Sequence, residues 1–182
     1  MTKMEDDLIL VNASDDVIGK AEKKSCHIGD GILHRAFSIF IINSSDEVLI
    51  HKRSHHKMLW PGFWSNSCCS HPRYGESLED AVHRRLMEEL SIRSELSFLY
   101  SFTYQAKYLD IGSENELCHV YAGRSDDISY PKSSEIVDIK YVHYQSLTEE
   151  INNFPDQFTP WFKLEWNQII KNYANKLSLV SS

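Results

Sequence analysis

The chain has 182 residues with 26 acidic and 19 basic side chains, which gives a formal net charge of −7. This charge argues against nucleic acid as a partner, because phosphate backbones are bound by basic surfaces. The hydrophobic content of 42% suits one domain with a substantial core, and no apolar run has membrane-spanning length. Since Met1 to Asp7 is too acidic and polar for a secretory signal, we expect a cytoplasmic protein without a membrane partner.

The cysteines show no pattern of a disulfide framework or a cysteine-rich zinc module. They are four in number, Cys26, Cys68, Cys69 and Cys118. Free thiols fit a reducing compartment. We expect Cys26 and Cys118 to be small core or surface residues.

The sequence of the N-terminal part of the chain predicts strands joined by turns. Residues Leu8–Val11 and Val17–Gly19 predict a small hairpin. Residues Ala36–Ile42 are almost all apolar, which predicts a central strand covered on both faces. A polar turn follows, and Val48–Ile50 returns as the partner strand.

A helix is predicted after the strand pair, with Ser77 as its N-cap and Asp80 at the reciprocal position of a capping box. Apolar residues recur every four positions along it, at Leu78, Val82, Leu86 and Leu90. This spacing predicts a helix that runs to Leu90 and buries one side.

The C-terminal part predicts strands at 96–104, 116–122 and 138–144, followed by a final helix. Thr159 and Pro160 are a typical cap and first-turn pair. The apolar residues of this helix are Trp161, Leu164, Ile169 and Tyr173. The elements together predict a single α/β domain of α+β type over residues 1–182, with a mixed sheet packed between helices.

Two carboxylates lie on the same side of an extended chain at Glu114 and Glu116, because alternate residues of a strand share a face. They can converge on one cation, and His27, His34 and His71 offer nitrogens upstream. A lone histidine is more often structural or exposed than a ligand.

Adjacent cysteines precede His71, and strand alternation puts Cys69 on the side of His71 and Cys68 on the other side. A thiol beside an imidazole and facing a carboxylate pair makes an acid/base site. A bulge in this strand would instead put Cys68 on the side of His71 and Cys69 on the other side.

Cations that could bind an anionic substrate are Lys23, Arg53, Lys57 and Arg85. From spacing alone each would be a solvated surface charge, which is the usual environment of lysine and arginine.

The segment from Trp64 to Pro72, the pair Glu114 and Glu116, and Trp161 after Thr159-Pro160 together resemble the type I isopentenyl-diphosphate isomerases, a branch of the Nudix superfamily. The resemblance covers the chain from Lys23 to Trp161, with the motifs in the family's order. It implies a Nudix-like fold for the predicted domain.

A degenerate Nudix box supports this resemblance, with Glu76 followed after seven residues by Arg84 to Ile92. Three positions depart from the superfamily pattern, since Ser70 and Ser91 replace glycines and Arg85 replaces a metal-binding glutamate. The loss of that carboxylate suits a protein that binds a diphosphate without cleaving it.

The resemblance also implies roles for individual residues. The implied catalytic residues are Cys69, Glu116, Tyr104 and Trp161. The implied diphosphate-binding residues are Lys23, Arg53, Lys57 and Arg85. The implied ligands of a Mn²⁺ or Zn²⁺-type ion are His27, His34, His71, Glu114 and Glu116, while Glu89 would hold Mg²⁺ with the substrate.

The reaction implied is the conversion of isopentenyl diphosphate into dimethylallyl diphosphate through a tertiary carbocation, in isoprenoid biosynthesis. We expect a small diphosphate as partner and a monomer or weak dimer. Two alternatives remain open at this stage. A Nudix pyrophosphohydrolase would share the fold, and a non-catalytic metal-binding domain would explain the histidines and glutamates alone.

Overall fold

A computed structural model describes residues 7–179, so both ends of the predicted domain, residues 1–6 and 180–182, lie outside the described residues. Within this range the strands β1 to β9 are Asp7–Val11, Val17–Glu22, His34–Ile42, Glu47–Arg53, Trp64–Ser65, Cys68–Ser70, Leu96–Tyr108, Gly112–Arg124 and Ile136–His143. The α-helices α1 to α4 are Lys23–His27, Leu78–Leu90, Tyr144–Asn153 and Pro160–Asn172. No helix among these residues is long and apolar enough to cross a membrane.

Strand β3 is the centre of the sheet, as its apolar sequence predicts. It pairs in parallel with β8 from His34 to Ile42. Along its other edge it pairs antiparallel with β1, β6 and β4 in turn. The sheet is therefore mixed and includes all nine strands of the described chain.

Helices cover both faces of this sheet. Helix α2 packs its predicted apolar stripe against one face, where Phe37, Ile39 and Ile41 of β3 point. On the other face Phe40 of β3 packs in a cluster with Phe162 of α4. The predicted arrangement of a mixed sheet between helices is confirmed.

Helix α2 begins and ends at polar residues. The Ser77 hydroxyl accepts a 3.1 Å hydrogen bond from the Asp80 backbone N–H, which confirms Ser77 as the N-cap. The reciprocal half of the capping box was predicted wrongly, because the Asp80 carboxylate accepts from the Ser77 hydroxyl at 2.7 Å. Ser91, at the position of a Nudix-box glycine, adopts the left-handed conformation with φ of 58° and ends the helix.

The final helix differs from its prediction in three ways. Thr159 occupies the N-cap position but makes no capping bond, because its hydroxyl lies 3.1 Å from the Ser65 hydroxyl. Leu164 is exposed, and Tyr173 lies just beyond the helix end. The buried side of α4 is formed by Trp161, Phe162, Glu165, Trp166 and Ile169.

Several element boundaries also differ from the prediction. Strand β7 continues beyond its predicted end to Tyr108, and strand β8 begins before its predicted start, at Gly112. The two strands form one long hairpin that carries both Tyr104 and Glu116. Helices α1 and α3 were not predicted. Tyr144, predicted at a strand end, begins α3.

Candidate active site

A single cavity of about 260 Å³ contains most of the predicted functional side chains. Its lining includes the four predicted catalytic residues and the four predicted substrate-binding cations: Cys69, Tyr104, Glu116, Trp161, Lys23, Arg53, Lys57 and Arg85. His27, His71 and Glu114 also line it. His34 and Glu89 do not contribute to the lining, and both are buried.

Sheet register explains why residues distant in sequence meet in this cavity. Glu116 of β8 lies opposite His34 of β3 on one side and opposite Tyr104 of β7 on the other. Cys69 of β6 lies opposite Ser38, on the other edge of β3. Cys69 and Glu116 therefore approach the cavity from strands on either side of β3.

Five side chains form a compact donor set for a metal ion. The ligand atoms of His27, His34, His71, Glu114 and Glu116 all lie within 4.8 Å of one another. Three imidazoles and two carboxylates suit a borderline divalent ion. The set is the one that the resemblance implies.

Hydrogen bonds fix the orientation of two of the imidazoles. The Nδ1 atoms of His27 and His34 lie 2.6 and 2.7 Å from the backbone oxygens of Lys23 and Ile32. A carbonyl oxygen only accepts, so each Nδ1 carries a proton and each Nε2 is free to bind a metal. His27 Nε2 then faces Glu114 Oε2 at 2.9 Å.

Buried polar atoms of this set lack hydrogen-bond partners. His34 Nε2 and Glu114 Oε2 are both buried without a hydrogen bond. The facing atoms His27 Nε2 and Glu114 Oε2 repel each other unless a proton or a metal cation lies between them. Burial lowers the pKa of His27, but Glu114 outweighs burial and raises that pKa, so this position attracts positive charge. Burial above all lowers the pKa of His71, which favours the neutral imidazole that a metal needs. The residues present therefore fit a divalent metal ion.

Tyr104 and Glu116 form a buried hydrogen-bonded pair. The Tyr104 hydroxyl donates to Glu116 Oε2 at 2.6 Å, while Glu116 Oε1 lies 2.8 Å from His71 Nε2. Burial raises the pKa of Glu116, but its contacts with His34 and Tyr104 outweigh burial and hold that pKa below its usual value. Burial and the Glu116 charge raise the pKa of Tyr104, so its hydroxyl keeps its proton.

The two adjacent cysteines point to opposite faces of β6. Cys68 is fully buried in the cluster beneath α2, whereas Cys69 is half-buried and lines the cavity. The strand alternation is as predicted, without a bulge. Burial raises the pKa of the Cys69 thiol to about 12, although the Arg53 guanidinium, 3.9 Å from its sulfur, opposes this shift.

Arg53 connects Cys69 with the aromatic wall of the cavity. Its Nε and Nη2 atoms donate to the backbone oxygens of Trp60 and Leu59 at 3.1 and 2.8 Å. Trp60 has a positive φ of 47°, a conformation that a bulky residue adopts only when its surroundings hold it. Arg53 therefore stabilises the turn that carries Trp60.

Trp161 forms part of the cavity wall and is itself buried. Its indole N–H donates to the Ser65 hydroxyl at 3.1 Å. Its ring lies 5.3 Å from the ring of Trp60, 6.2 Å from that of Tyr104 and 5.1 Å from Cζ of Arg53. These contacts fix the indole in the cavity wall beside Tyr104 and Arg53.

The four predicted substrate-binding cations line the cavity, but two of them already contact carboxylates. Lys57 pairs with Glu135, and Arg85 pairs with Glu89 and with the exposed Glu88. Glu89 lies with Arg85 on α2 and does not belong to the five-residue donor set.

Two residues near the site were missed from the sequence. Glu135 precedes β9 in a polar loop, where a single carboxylate gives no signal. Glu165 of α4 is completely buried and accepts a 3.5 Å hydrogen bond from the Cys118 thiol. An acidic residue on the apolar side of the final helix was a signal that could have identified it.

Comparison with known proteins agrees with this geometry. A model of the NUDIX domain family matches residues 32–162. Isopentenyl-diphosphate Delta-isomerase 1 of Photorhabdus laumondii is 44% identical over 174 residues, which cover 94% of this chain and 99% of that protein. The chain belongs to the isopentenyl-diphosphate Delta-isomerase family. Another family member, from Serratia proteamaculans, is 42% identical and covers 87% of this chain and 88% of its own.

Solved structures show the fold of this isomerase family member. The crystal structure of DR0079 from Deinococcus radiodurans aligns with a TM-score of 0.73 at 22% identity, covering 89% of this chain and 98% of that chain. The crystal structure of the MutT protein from Methanosarcina mazei aligns with a TM-score of 0.65 at 15% identity, covering 76% of this chain and 94% of that chain. The predicted Nudix-like fold is confirmed.

Proposed function

We propose that the protein converts isopentenyl diphosphate into dimethylallyl diphosphate in isoprenoid biosynthesis. The observation that carries this proposal is the meeting of the Cys69 thiol and the Tyr104–Glu116 pair in one cavity that four basic side chains also line. The 35–44% identity to curated isomerases over most of the chain supports the same reaction.

The reaction moves a double bond by adding one proton and removing another. The terminal carbon of the alkene takes a proton, which leaves a tertiary cation, and a neighbouring carbon then loses a different proton. Cys69 serves one side of the substrate, and Tyr104 with Glu116 serves the other. Each group contributes as a positioned acid or base, and the product has the same atoms as the substrate.

Trp161 stabilises the cation between these groups, because the face of an indole attracts positive charge. Its hydrogen bond to Ser65 and its contact with Trp60 hold the ring in place. Only 3% of Trp161 is exposed, and its bulk helps to keep water away from the reactive cation.

The basic residues that line the cavity bind the diphosphate. Arg53 and Arg85 offer guanidinium groups that match phosphate oxygens, while Lys23 and Lys57 act as point charges. Arg85 stands where a hydrolytic Nudix box has a metal-binding carboxylate, so it favours binding of the diphosphate over its hydrolysis.

The metal-binding residues act by holding charge and orientation. His27, His34, His71, Glu114 and Glu116 would hold a Mn²⁺ or Zn²⁺-type ion, which would supply positive charge that orients Glu116 and lowers the pKa of groups bound to it. Glu89 would hold the Mg²⁺ that accompanies the diphosphate. His27 and His34 are oriented for their part by the backbone oxygens of Lys23 and Ile32.

The partner proposed is a small diphosphate ester, bound by a monomer or weak dimer in the cytoplasm, without nucleic acid or membrane. The net charge of −7 supports this choice because a nucleic-acid partner needs a basic surface. The basic residues lining the cavity are suited to a compact anion.

The test is incubation of the metal-loaded protein with isopentenyl diphosphate in deuterated water. We expect dimethylallyl diphosphate that carries deuterium in a methyl group, with no release of phosphate. The Glu116→Gln variant serves as the inactive control. Phosphate release would instead identify a Nudix hydrolase, and an unchanged substrate with full metal content would contradict an isomerase.

A further inference from the structure

Glu135 brings a carboxylate to Lys57 and Arg85, two of the cations that line the cavity. Its backbone is fixed on both sides, since its N–H donates to the Lys132 oxygen and its carbonyl accepts from the Ser54 N–H, each at 2.9 Å. The side chain lines a cleft together with Lys23 and Arg85, and these two cations also line the main cavity.

The contacts of Glu135 are with predicted diphosphate-binding residues. Its Oε2 pairs with Lys57 Nζ and lies 3.9 Å from Arg85 Nη2. The side chains of these residues are mostly buried: Glu135 is 22% exposed, Lys57 26% and Arg85 15%. Burial raises the pKa of Glu135, but Lys57, Arg85 and Lys23 outweigh it and bring that pKa to about 2.

We infer that Glu135 is an internal anion that competes with the diphosphate for Lys57 and thereby limits the affinity of the site. The inference rests on the proposed function, which assigns the diphosphate to the cations that line the cavity. The Glu135 carboxylate occupies one of the three donors of the Lys57 ammonium and partly neutralises its charge, so a bound phosphate meets a weakened cation and a nearby negative charge. The cost of that neutralisation and repulsion is subtracted from binding.

The chemistry of the reaction explains why weaker binding of the diphosphate would help turnover. Isomerisation leaves the diphosphate unchanged, so the cations hold substrate and product equally well. Binding that is equal in ground and transition states lowers KM without raising kcat, and it slows the departure of the product. An anion beside Lys57 favours product release.

The first experiment is titration calorimetry of the metal-loaded protein with inorganic pyrophosphate at fixed Mg²⁺. Glu135→Gln keeps the shape of the side chain and removes its charge. We expect its Kd for pyrophosphate to fall about tenfold, because no carboxylate then neutralises Lys57 or repels the anion. Glu135→Asp, which withdraws the charge by one methylene, should show a smaller gain.

Two comparisons separate competition from a general change of charge. Glu88→Gln removes an exposed carboxylate that also contacts Arg85, and we expect its Kd to stay within about twofold of the parent. In a Lys57→Met background, Glu135→Gln should tighten binding clearly less than in the parent protein, because the ion pair with Lys57 is already absent and only the longer contact with Arg85 remains.

Kinetics with isopentenyl diphosphate give an independent readout. We expect Glu135→Gln to lower KM without raising kcat. Damage to the fold would instead raise KM, or lower kcat while KM stays unchanged. Pyrophosphate binding that is unchanged overturns the inference, and binding that weakens would make Glu135 a ligand of Mg²⁺ instead. Tightened pyrophosphate binding in a protein that does not isomerise would contradict the proposed function but leave the inference about Glu135 intact.

Discussion

The Tyr104 hydroxyl donates a 2.6 Å hydrogen bond to Glu116 Oε2, and this contact joins a phenol to a carboxylate whose other oxygen faces the histidines. The residues lie directly opposite each other on β7 and β8. The phenol can therefore relay a proton between the cavity and Glu116 without a net loss of its own. We propose that the pair acts as a single acid/base unit.

Removal of the phenol hydroxyl should impair the chemistry and leave the metal in place. We expect Tyr104→Phe to lower kcat by about 10²-fold, since positioned proton transfer contributes at least that much. The metal content should not change, because Glu116 Oε1 keeps its contact with His71. Steady-state kinetics with elemental analysis test this, and an unchanged kcat would leave Tyr104 as a packing residue.

The opposite directions of Cys68 and Cys69 predict opposite effects of two similar substitutions. Cys69→Ala should lower kcat by about 10²-fold or more with little loss of stability. Cys68→Ala should keep most activity but lose about 1 kcal/mol of unfolding free energy, because its side chain is fully buried in the core. Urea denaturation and kinetics on both variants test the pattern. Greater loss of activity in Cys68→Ala would reverse the assignment.

Local sequence patterns were sufficient to predict the central strand, helix α2 and the direction of Cys69, because all three depend on neighbours in the chain. The five-residue α1, which brings Lys23 and His27 to the site, is too short to show helical periodicity. The register that sets His34 opposite Glu116 is non-local, and motif resemblance rather than periodicity identified that pair. Glu135 had no motif, and only the fold brings it to Lys57.

The donor set predicts that loss of one imidazole weakens metal binding and activity together. His34→Ala removes a buried Nε2 that has no hydrogen-bond partner, so we expect at least about tenfold weaker metal binding. His83→Ala, on the exposed side of α2, is the control and should retain its metal. Elemental analysis after dialysis tests this, and full metal occupancy in His34→Ala would remove that residue from the set.

The buried carboxyl of Glu165 predicts a distinct dependence of stability on pH. Burial raises the pKa of Glu165 from its ordinary 4.5 to about 8, and its Oε2 has no hydrogen-bond partner. Below pH 4.5 the carboxyl is protonated in both folded and unfolded chains, so it contributes no pH dependence there. Between pH 4.5 and about 8 only the unfolded chain releases the proton, so stability falls as pH rises, by on the order of a few kcal/mol.

Glu165→Gln removes this titration because the amide stays neutral at every pH. Urea denaturation at pH 5 and pH 8 should therefore show a smaller loss of unfolding free energy in the variant than in the parent protein. All other ionisable groups are common to both proteins, so the difference between the two losses isolates Glu165. Parallel stability curves over this range would show that the carboxyl is already ionised in the folded protein, stabilised by Ser38 and Cys118 more strongly than burial opposes it.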